Sequence, residues 1–240
     1  MTDWNSVFDG ILTERQFKVN EPMNRHNTYG IGGPADVFVM PQTEDQLKQV
    51  LRRADELHIP VTVIGGGSNS LISDRGIRGI TLCTARIKSS TVRKGNQIIV
   101  TGGAGTGAVS RFAMKEGLSG LEFAAGIPGT LLGAVFMNAN GYGSKFANVV
   151  HSVRTVTRDG RQEKHYTLEE IQYGDSDSVF MHNGDVVLEV VFDLKEGNPE
   201  EIKAVMDEYQ ASRRAKQPLE KRSAGTMFLR PPGHYVGPMI

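Results

Sequence analysis

Glycine and arginine carry most of the chemistry written into this chain. Val61-Thr-Val-Ile64 is a β-branched run that ends in Gly65, Gly66 and Gly67, followed by Ser68 and Asn69. Three successive residues without a Cβ let a ligand lie directly on backbone N–H groups, and two short polar side chains add donors at the same place. A buried strand running into such a loop is one way to hold a phosphate or diphosphate. A tight turn is the plainer reading. Two more glycine-rich stretches follow: Thr101-Gly-Gly-Ala-Gly-Thr-Gly-Ala108 and Ala125-Gly-Ile-Pro-Gly-Thr-Leu-Leu-Gly-Ala134. Three such loops suggest one long ligand lying close to backbone along its length.

The second candidate is basic. Arg213, Arg214, Lys216, Lys221, Arg222 and Arg230 cluster around Pro218. Guanidinium and ammonium groups pair with phosphate and carboxylate, so the cluster reads as a site for an anionic substrate; a solvated surface is the alternative. Cys83 is the single cysteine, which excludes a disulfide framework, and no paired Cys or His stands at metal-ligand spacing.

The elements around these residues are partly legible. Residues 1–25 read as a polar lead-in with a short helix near Trp4. Residues 35–40 form a strand, and Thr43-Glu-Asp-Gln opens a helix with Leu47, Val50, Leu51, Ala54 and Leu57 on its apolar face. Short strands are expected at residues 61–64, 80–83, 90–93 and 97–101, with Gly95-Asn96 as a hairpin turn next to the last strand. A helix over residues 107–117 follows. Residues 152–160 alternate and end in an Asp-Gly turn, and residues 185–193 give the strongest strand pattern. Asn198-Pro-Glu-Glu starts a helix that runs to about Arg214.

Composition narrows the classes. The 240 residues suffice for one large domain or two modest ones. There are 27 basic and 27 acidic residues, so no nucleic-acid footprint is expected. No signal-peptide pattern and no apolar run of membrane-spanning length occur, which points to a cytoplasmic protein without a membrane partner. Gly103-x-Gly105-x-x-Ala108 resembles a dinucleotide-binding fingerprint, but no acidic residue is clearly placed at the end of a next strand, and no Gly-Lys-Ser/Thr follows any loop.

The combination is similar to the UDP-N-acetylenolpyruvoylglucosamine reductases (the UDP-N-acetylmuramate dehydrogenases). The matching stretches are Asn27-Thr-Tyr-Gly-Ile-Gly-Gly-Pro-Ala35, Ile64-Gly-Gly-Gly-Ser-Asn69, Gly120-Leu-Glu-Phe-Ala-Ala-Gly-Ile-Pro-Gly-Thr130, Gly133-Ala-Val-Phe-Met-Asn138, Arg214-Ala-Lys-Gln-Pro218, Ser223-Ala-Gly-Thr-Met-Phe228 and Arg230-Pro-Pro-Gly233. They run in the family's order from about residue 20 to the last residue.

The resemblance implies an α+β fold with α/β elements: a vanillyl-alcohol-oxidase-type FAD-binding region of two subdomains, over residues 26–197. Residues 198–240 would open a C-terminal α+β substrate domain, expected to be incomplete here. It implies FAD as cofactor, NADPH as hydride donor and a UDP-sugar as substrate. The reaction is reduction of an enolpyruvyl double bond in peptidoglycan precursor synthesis. Ile64, Gly65, Gly66, Gly67, Ser68 and Asn69, with Gly126, Ile127, Pro128, Gly129 and Thr130, would hold FAD. Thr226 occupies the proton-donor position, usually Ser or Cys, and Ser176 the position usually held by Arg. Leu132 stands where glycine is usual. A glutamate that helps polarise the substrate is expected beyond Ile240. The alternative is a flavin- or UDP-sugar-binding relative without turnover. The oligomeric state is left open.

Overall fold

The computed structural model describes residues 2–225, 228, 231, 233, 234, 236 and 239. Helix α1 (Trp4–Phe8) is capped by Asp3 and buries Trp4, Val7 and Phe8. Strand β1 (Phe17–Pro22) follows, then β2 (Pro34–Val39), helix α2 (Glu44–Glu56), β3 (Val61–Ile64) and β4 (Ile77–Cys83). They form a four-stranded sheet in the order β1-β2-β4-β3. β1 is antiparallel to β2, whereas β2 and β3 both run parallel to β4.

The start of α2 follows from its first residues. Thr43 Oγ1 accepts from the Gln46 N–H at 3.1 Å, and Glu44 and Asp45 sit at the positive end of the helix. Leu47, Val50, Leu51 and Ala54 are buried as the spacing requires. Leu57 departs from that expectation. It caps the helix and is exposed, because His58 turns the chain with φ 53°.

The second half begins with the hairpin β5 (Ser90–Lys94) and β6 (Gln97–Thr101), then α3 (Thr106–Lys115), β7 (Leu118–Ser119), α4 (Leu131–Phe136) and the small hairpin β8 (Asn140–Gly141) and β9 (Ser144–Lys145). β10 (Val150–Val156), β11 (Glu163–Thr167), α5 (Leu168–Ile171), α6 (Val179–Asn183), β12 (Val186–Asp193), β13 (Lys195–Glu196) and α7 (Pro199–Lys216) complete it. The large sheet has the order β11-β10-β12-β6-β5, and each neighbouring pair is antiparallel. A dinucleotide-binding reading of the loop after β6 therefore has no parallel crossover to stand on.

One core lies between this sheet and helices α3 and α4, with Ile98, Val109, Leu131, Val135, Phe146 and Phe192 in it. A second lies under α1 and α2 and includes Val156, Val186 and Leu188 from β10 and β12, and a smaller third holds Met23, Phe38, Ile64 and Cys83. The two halves thus share apolar contacts. They also share an ionic seam: Arg154 of β10 binds Glu44 of α2 at 3.1 Å and Glu163 of β11 at 3.1 Å, and Lys48 of α2 binds Glu163.

Candidate functional site

The glycine loop after β3 is packed against the stretch that precedes α4. A Cβ on Gly65 would stand 2.3 Å from Thr130 Oγ1, one on Gly66 2.9 Å from Gly129 Cα, and one on Gly67 2.0 Å from the His26 carbonyl. Gly67 also has φ 66°, a left-handed conformation that other residues adopt at a cost. Ser68 Oγ donates to Pro128 O at 3.1 Å, which ties the two loops together. The third glycine stretch is woven into the same place. Thr106 N–H donates to Gly129 O at 3.1 Å, and Leu131 N–H to Ala104 O at 2.8 Å.

These loops leave donors unspent. Among the described residues, the N–H groups of Gly66, Gly67, Ser68, Asn69, Gly129 and Thr130 donate to no protein acceptor. Thr130 Oγ1 is buried and has no hydrogen-bond partner. Helix α3 starts beside Gly129 and α4 starts at Leu131, so two helix N-termini add positive potential. Unpaired donors converging on one spot are what an anion needs, and a buried unpaired hydroxyl costs about 1–3 kcal/mol unless a ligand meets it. The residues present fit the diphosphate of a flavin dinucleotide.

A cleft of about 260 Å³ continues from Gly65 and Gly133 between the two sheets, lined by Val63, Leu132, Phe136 and Val187 among others. Leu132 stands in the core cluster and along this cleft, and it is Gly65 and Gly133 that face the Thr130 hydroxyl. Asp185, also in the lining, is buried and fully engaged. It accepts from Tyr166 Oη at 2.7 Å, Lys164 Nζ at 3.1 Å and Thr155 Oγ1 at 3.4 Å. Burial and then the Asp185 carboxylate push the Tyr166 phenol up, while the hydrogen bond to Asp185 holds Lys164 above its ordinary value.

The eleven expected FAD residues from Ile64 to Asn69 and from Gly126 to Thr130 fall together on this cradle. Ser176 lies elsewhere. Its loop is pinned to the far end of α4 by Tyr173 Oη to Val135 O at 3.0 Å and Ser178 Oγ to Phe136 O at 2.7 Å. Ser176 itself is exposed with φ 55°. Burial pushes the Tyr173 phenol well up. Thr226 and Arg230 lie outside the described residues. The stretch that leads to Thr226 nevertheless reaches the cradle: Thr28 Oγ1 donates to Ser223 O at 2.6 Å, and a Cβ on Gly225 would stand 3.8 Å from Asn69 Oδ1. Thr28 also donates its N–H to Gly67 O at 3.3 Å. Its place in Asn27-Thr-Tyr-Gly was the available signal, but no single residue of that stretch stood out by chemistry. Of the basic cluster, Arg222 Nη1 donates to Gly30 O at 3.3 Å, and Arg213 packs on Gly126.

Comparison with known proteins agrees with this geometry. The FAD binding domain family matches residues 35–165. A UDP-N-acetylenolpyruvoylglucosamine reductase of Geobacillus thermodenitrificans (strain NG80-2) is 44% identical over 230 residues, which cover 96% of this chain and 75% of that protein. This chain belongs to the UDP-N-acetylenolpyruvoylglucosamine reductase family. As a member it is an FAD-dependent oxidoreductase, and the binding-only alternative gains no support from these relatives. The crystal structure of the reductase from Thermus caldophilus superposes with a TM-score of 0.74 at 30% identity, over 94% of this chain and 78% of that one. An alkyldihydroxyacetonephosphate synthase shares the fold with a TM-score of 0.59 at 15% identity, over 82% of this chain and 41% of its own. The two clasped sheets are thus the vanillyl-alcohol-oxidase-type architecture. Among the described residues, no helix is long and apolar enough to cross a membrane, and no group of His, Cys, Asp and Glu could hold a metal ion.

Proposed function

We propose that this chain carries out its family's reaction in the cytoplasm: NADPH-dependent reduction of the enolpyruvyl group of a UDP-sugar, in peptidoglycan precursor synthesis. The observation that supports it is the cradle of six unspent backbone N–H groups with the orphaned Thr130 hydroxyl. Gly66 to Asn69, Gly129 and Thr130 would bind the FAD diphosphate, with Ser68 fixing one loop on the other. FAD, when bound, supplies the redox centre that takes hydride from NADPH and passes it to the enolpyruvyl carbon.

The chain's own residues do the rest. Thr226 would give its hydroxyl proton to the neighbouring carbon; Ser223 and Gly225, which precede it in the chain, lie against Thr28 and Asn69. The branched Cβ of Thr226 restricts χ1, so the donor is held in fewer orientations than a serine would be. Ser176 offers a hydroxyl where a cation is usual, which leaves charge stabilisation of the substrate carboxylate to other groups. Residues 26–197 form the flavin-binding region with β1 added at its edge, and residues 198–240 open the substrate-binding part.

The test is the visible spectrum of the purified chain after FAD is added and the mixture desalted. Flavin bands that stay with the protein are expected, followed by NADPH oxidation that depends on the UDP-sugar. A colourless protein overturns the reading. Flavin retention without substrate-dependent NADPH oxidation revives the binding-only alternative.

A further inference from the structure

Two arginines without an ion pair among the described residues lie against adjoining glycines at the rim of the cradle. Arg111 on α3 folds back so that its Nη1 is 3.3 Å from where a Cβ of Gly107 would stand; Arg213 on α7 places its Nη1 3.0 Å from the same point on Gly126. The two glycines adjoin, since the Gly107 Cβ position is also 3.0 Å from Ala125 O. Both guanidinium groups therefore lie over one small patch of bare backbone, Gly107 with Ala125 and Gly126. A side chain at either glycine would push a guanidinium away. Residue 126 leads directly into Ile127-Pro128-Gly129, and Gly107 is the second residue of the helix whose first N–H binds Gly129 O.

Several cations elsewhere in the molecule are spent on carboxylates. Arg154, Arg161, Arg93, Arg78, Lys48 and Lys164 each bind a carboxylate. Among the described residues, Arg111 and Arg213 form no ion pair and donate no hydrogen bond. Two like charges held at one patch beside a helix N-terminus repel each other and attract an anion. Paired guanidinium groups match the oxygens of a phosphate by bidentate hydrogen bonds.

We propose that Arg111 and Arg213 form a phosphate-binding pair that takes the diphosphate group of a nucleotide ligand. The pair rests on the reading of the adjoining cradle as the flavin site. The diphosphate belongs either to FAD itself or to the UDP-sugar.

The experiment compares the wild-type chain, the double variant Arg111→Gln/Arg213→Gln, and the control Lys94→Gln/Lys195→Gln, which removes the same charge at exposed sites in β5 and β13. FAD affinity is read by flavin fluorescence on the flavin-free chain, and UDP affinity by calorimetry. The double variant is expected to bind one of the two at least ten-fold more weakly, with the control within two-fold of wild type. A loss for FAD alone assigns the pair to the cofactor's diphosphate, and a loss for UDP alone to the substrate's. Both affinities within two-fold of wild type overturn the pair. If wild type retains FAD, that result leaves the flavin reading intact. If wild type takes up no FAD, the flavin reading falls, and the UDP titration still decides the pair. Should the double variant not fold, Arg111→Lys/Arg213→Lys keeps the charge but loses the fork, and a two- to five-fold loss for the same ligand is expected.

Discussion

Two buried polar groups, Asp185 in the lining of the cleft and Thr130 beside Gly65 and Gly133 of that lining, have opposite surroundings. Asp185 has three partners, from β10 and β11. The Thr130 hydroxyl has none. The same contrast separates the two places where the halves of the molecule meet. Along the seam, Arg154 is shared among Glu44, Glu163 and Glu189, and Arg161 binds Asp55. At the cradle, backbone touches backbone through three glycine loops while six N–H groups go unspent. The seam is polar chemistry used up in holding the fold. The cradle is polar chemistry held back from the fold. Since a buried unpaired hydroxyl costs about 1–3 kcal/mol, the orphaned Thr130 side chain beside these unspent N–H groups is best explained by a ligand that completes it.

The sharpest way to break the contrast is to fill the cradle. Gly67→Val would place a branched side chain against the His26 carbonyl, 2.0 Å away, at φ 66°. The loop must move, and FAD affinity is expected to fall by at least about 100-fold, roughly 2.7 kcal/mol. Gly143→Val is the matching control. It has φ 80° but nothing within 4 Å, so it should cost only the left-handed strain of about 1–2 kcal/mol and leave FAD affinity alone. Flavin fluorescence titration of both variants decides: a Gly67→Val chain that still binds FAD as wild type does means the loop is only a turn.

This division explains what the sequence could and could not disclose. The run into Gly65 was legible because glycine has one strong reason to repeat after a buried strand. The capped starts of α2 and α7 were legible because capping is local chemistry. Strand β1 was hidden because Phe-Lys-Val-Asn-Glu-Pro is an edge strand with mostly solvent-facing side chains, and its pattern reads as a polar lead-in. Helix α4 was hidden inside a stretch whose glycines suggest a loop; the N–H of its first residue, Leu131, binds Ala104 O, a tertiary contact. Arg213 was legible as a basic residue, but its meeting with Arg111 depends on α7 packing on the turn at residues 122–126. The ionic seam was hidden for the same reason, since its partners come from α2, β10, β11 and β12.

A cut in the seam should do the reverse of a blocked cradle. Arg154→Met leaves three carboxylates facing one another around a side chain that is only 16% exposed. Unfolding in urea should show a loss of about 2 kcal/mol, between the values for exposed and fully buried pairs. FAD affinity of the folded variant should stay within two-fold of wild type. A large loss of FAD binding without a loss of stability would mean that the seam, too, serves the ligand.

Thr130→Val sharpens the contrast with a smaller change. The two side chains have nearly the same shape, so the variant removes the orphaned hydroxyl and little else. The flavin-free chain should be no less stable, and up to about 1 kcal/mol more so, because an unpaired buried group is gone. FAD affinity should fall by about five- to ten-fold. Opposite signs in the two measurements are the signature of a donor kept for a ligand. A loss of stability without FAD would instead show that Thr130 serves the fold.

The smallest effect is in acid, and it should belong to the seam alone. The hydrogen bond from Lys48 holds the Glu163 carboxyl below its ordinary value of 4.5; burial opposes this, and Arg154 adds to it. A carboxylate whose folded value is depressed contributes stability that is complete above the unfolded value and is lost as pH falls through the folded one. Unfolding free energy should therefore decline below about pH 4.5, and Glu163→Gln should flatten part of that decline. Because Glu163 is 41% exposed and shares its partners with Glu44 and Glu189, the flattening is modest. The cradle's donors are backbone N–H groups and a hydroxyl, none of which titrates in this range. Glu163→Gln should accordingly leave FAD affinity at neutral pH unchanged; a shift there would show that the seam and the cradle are coupled through α2.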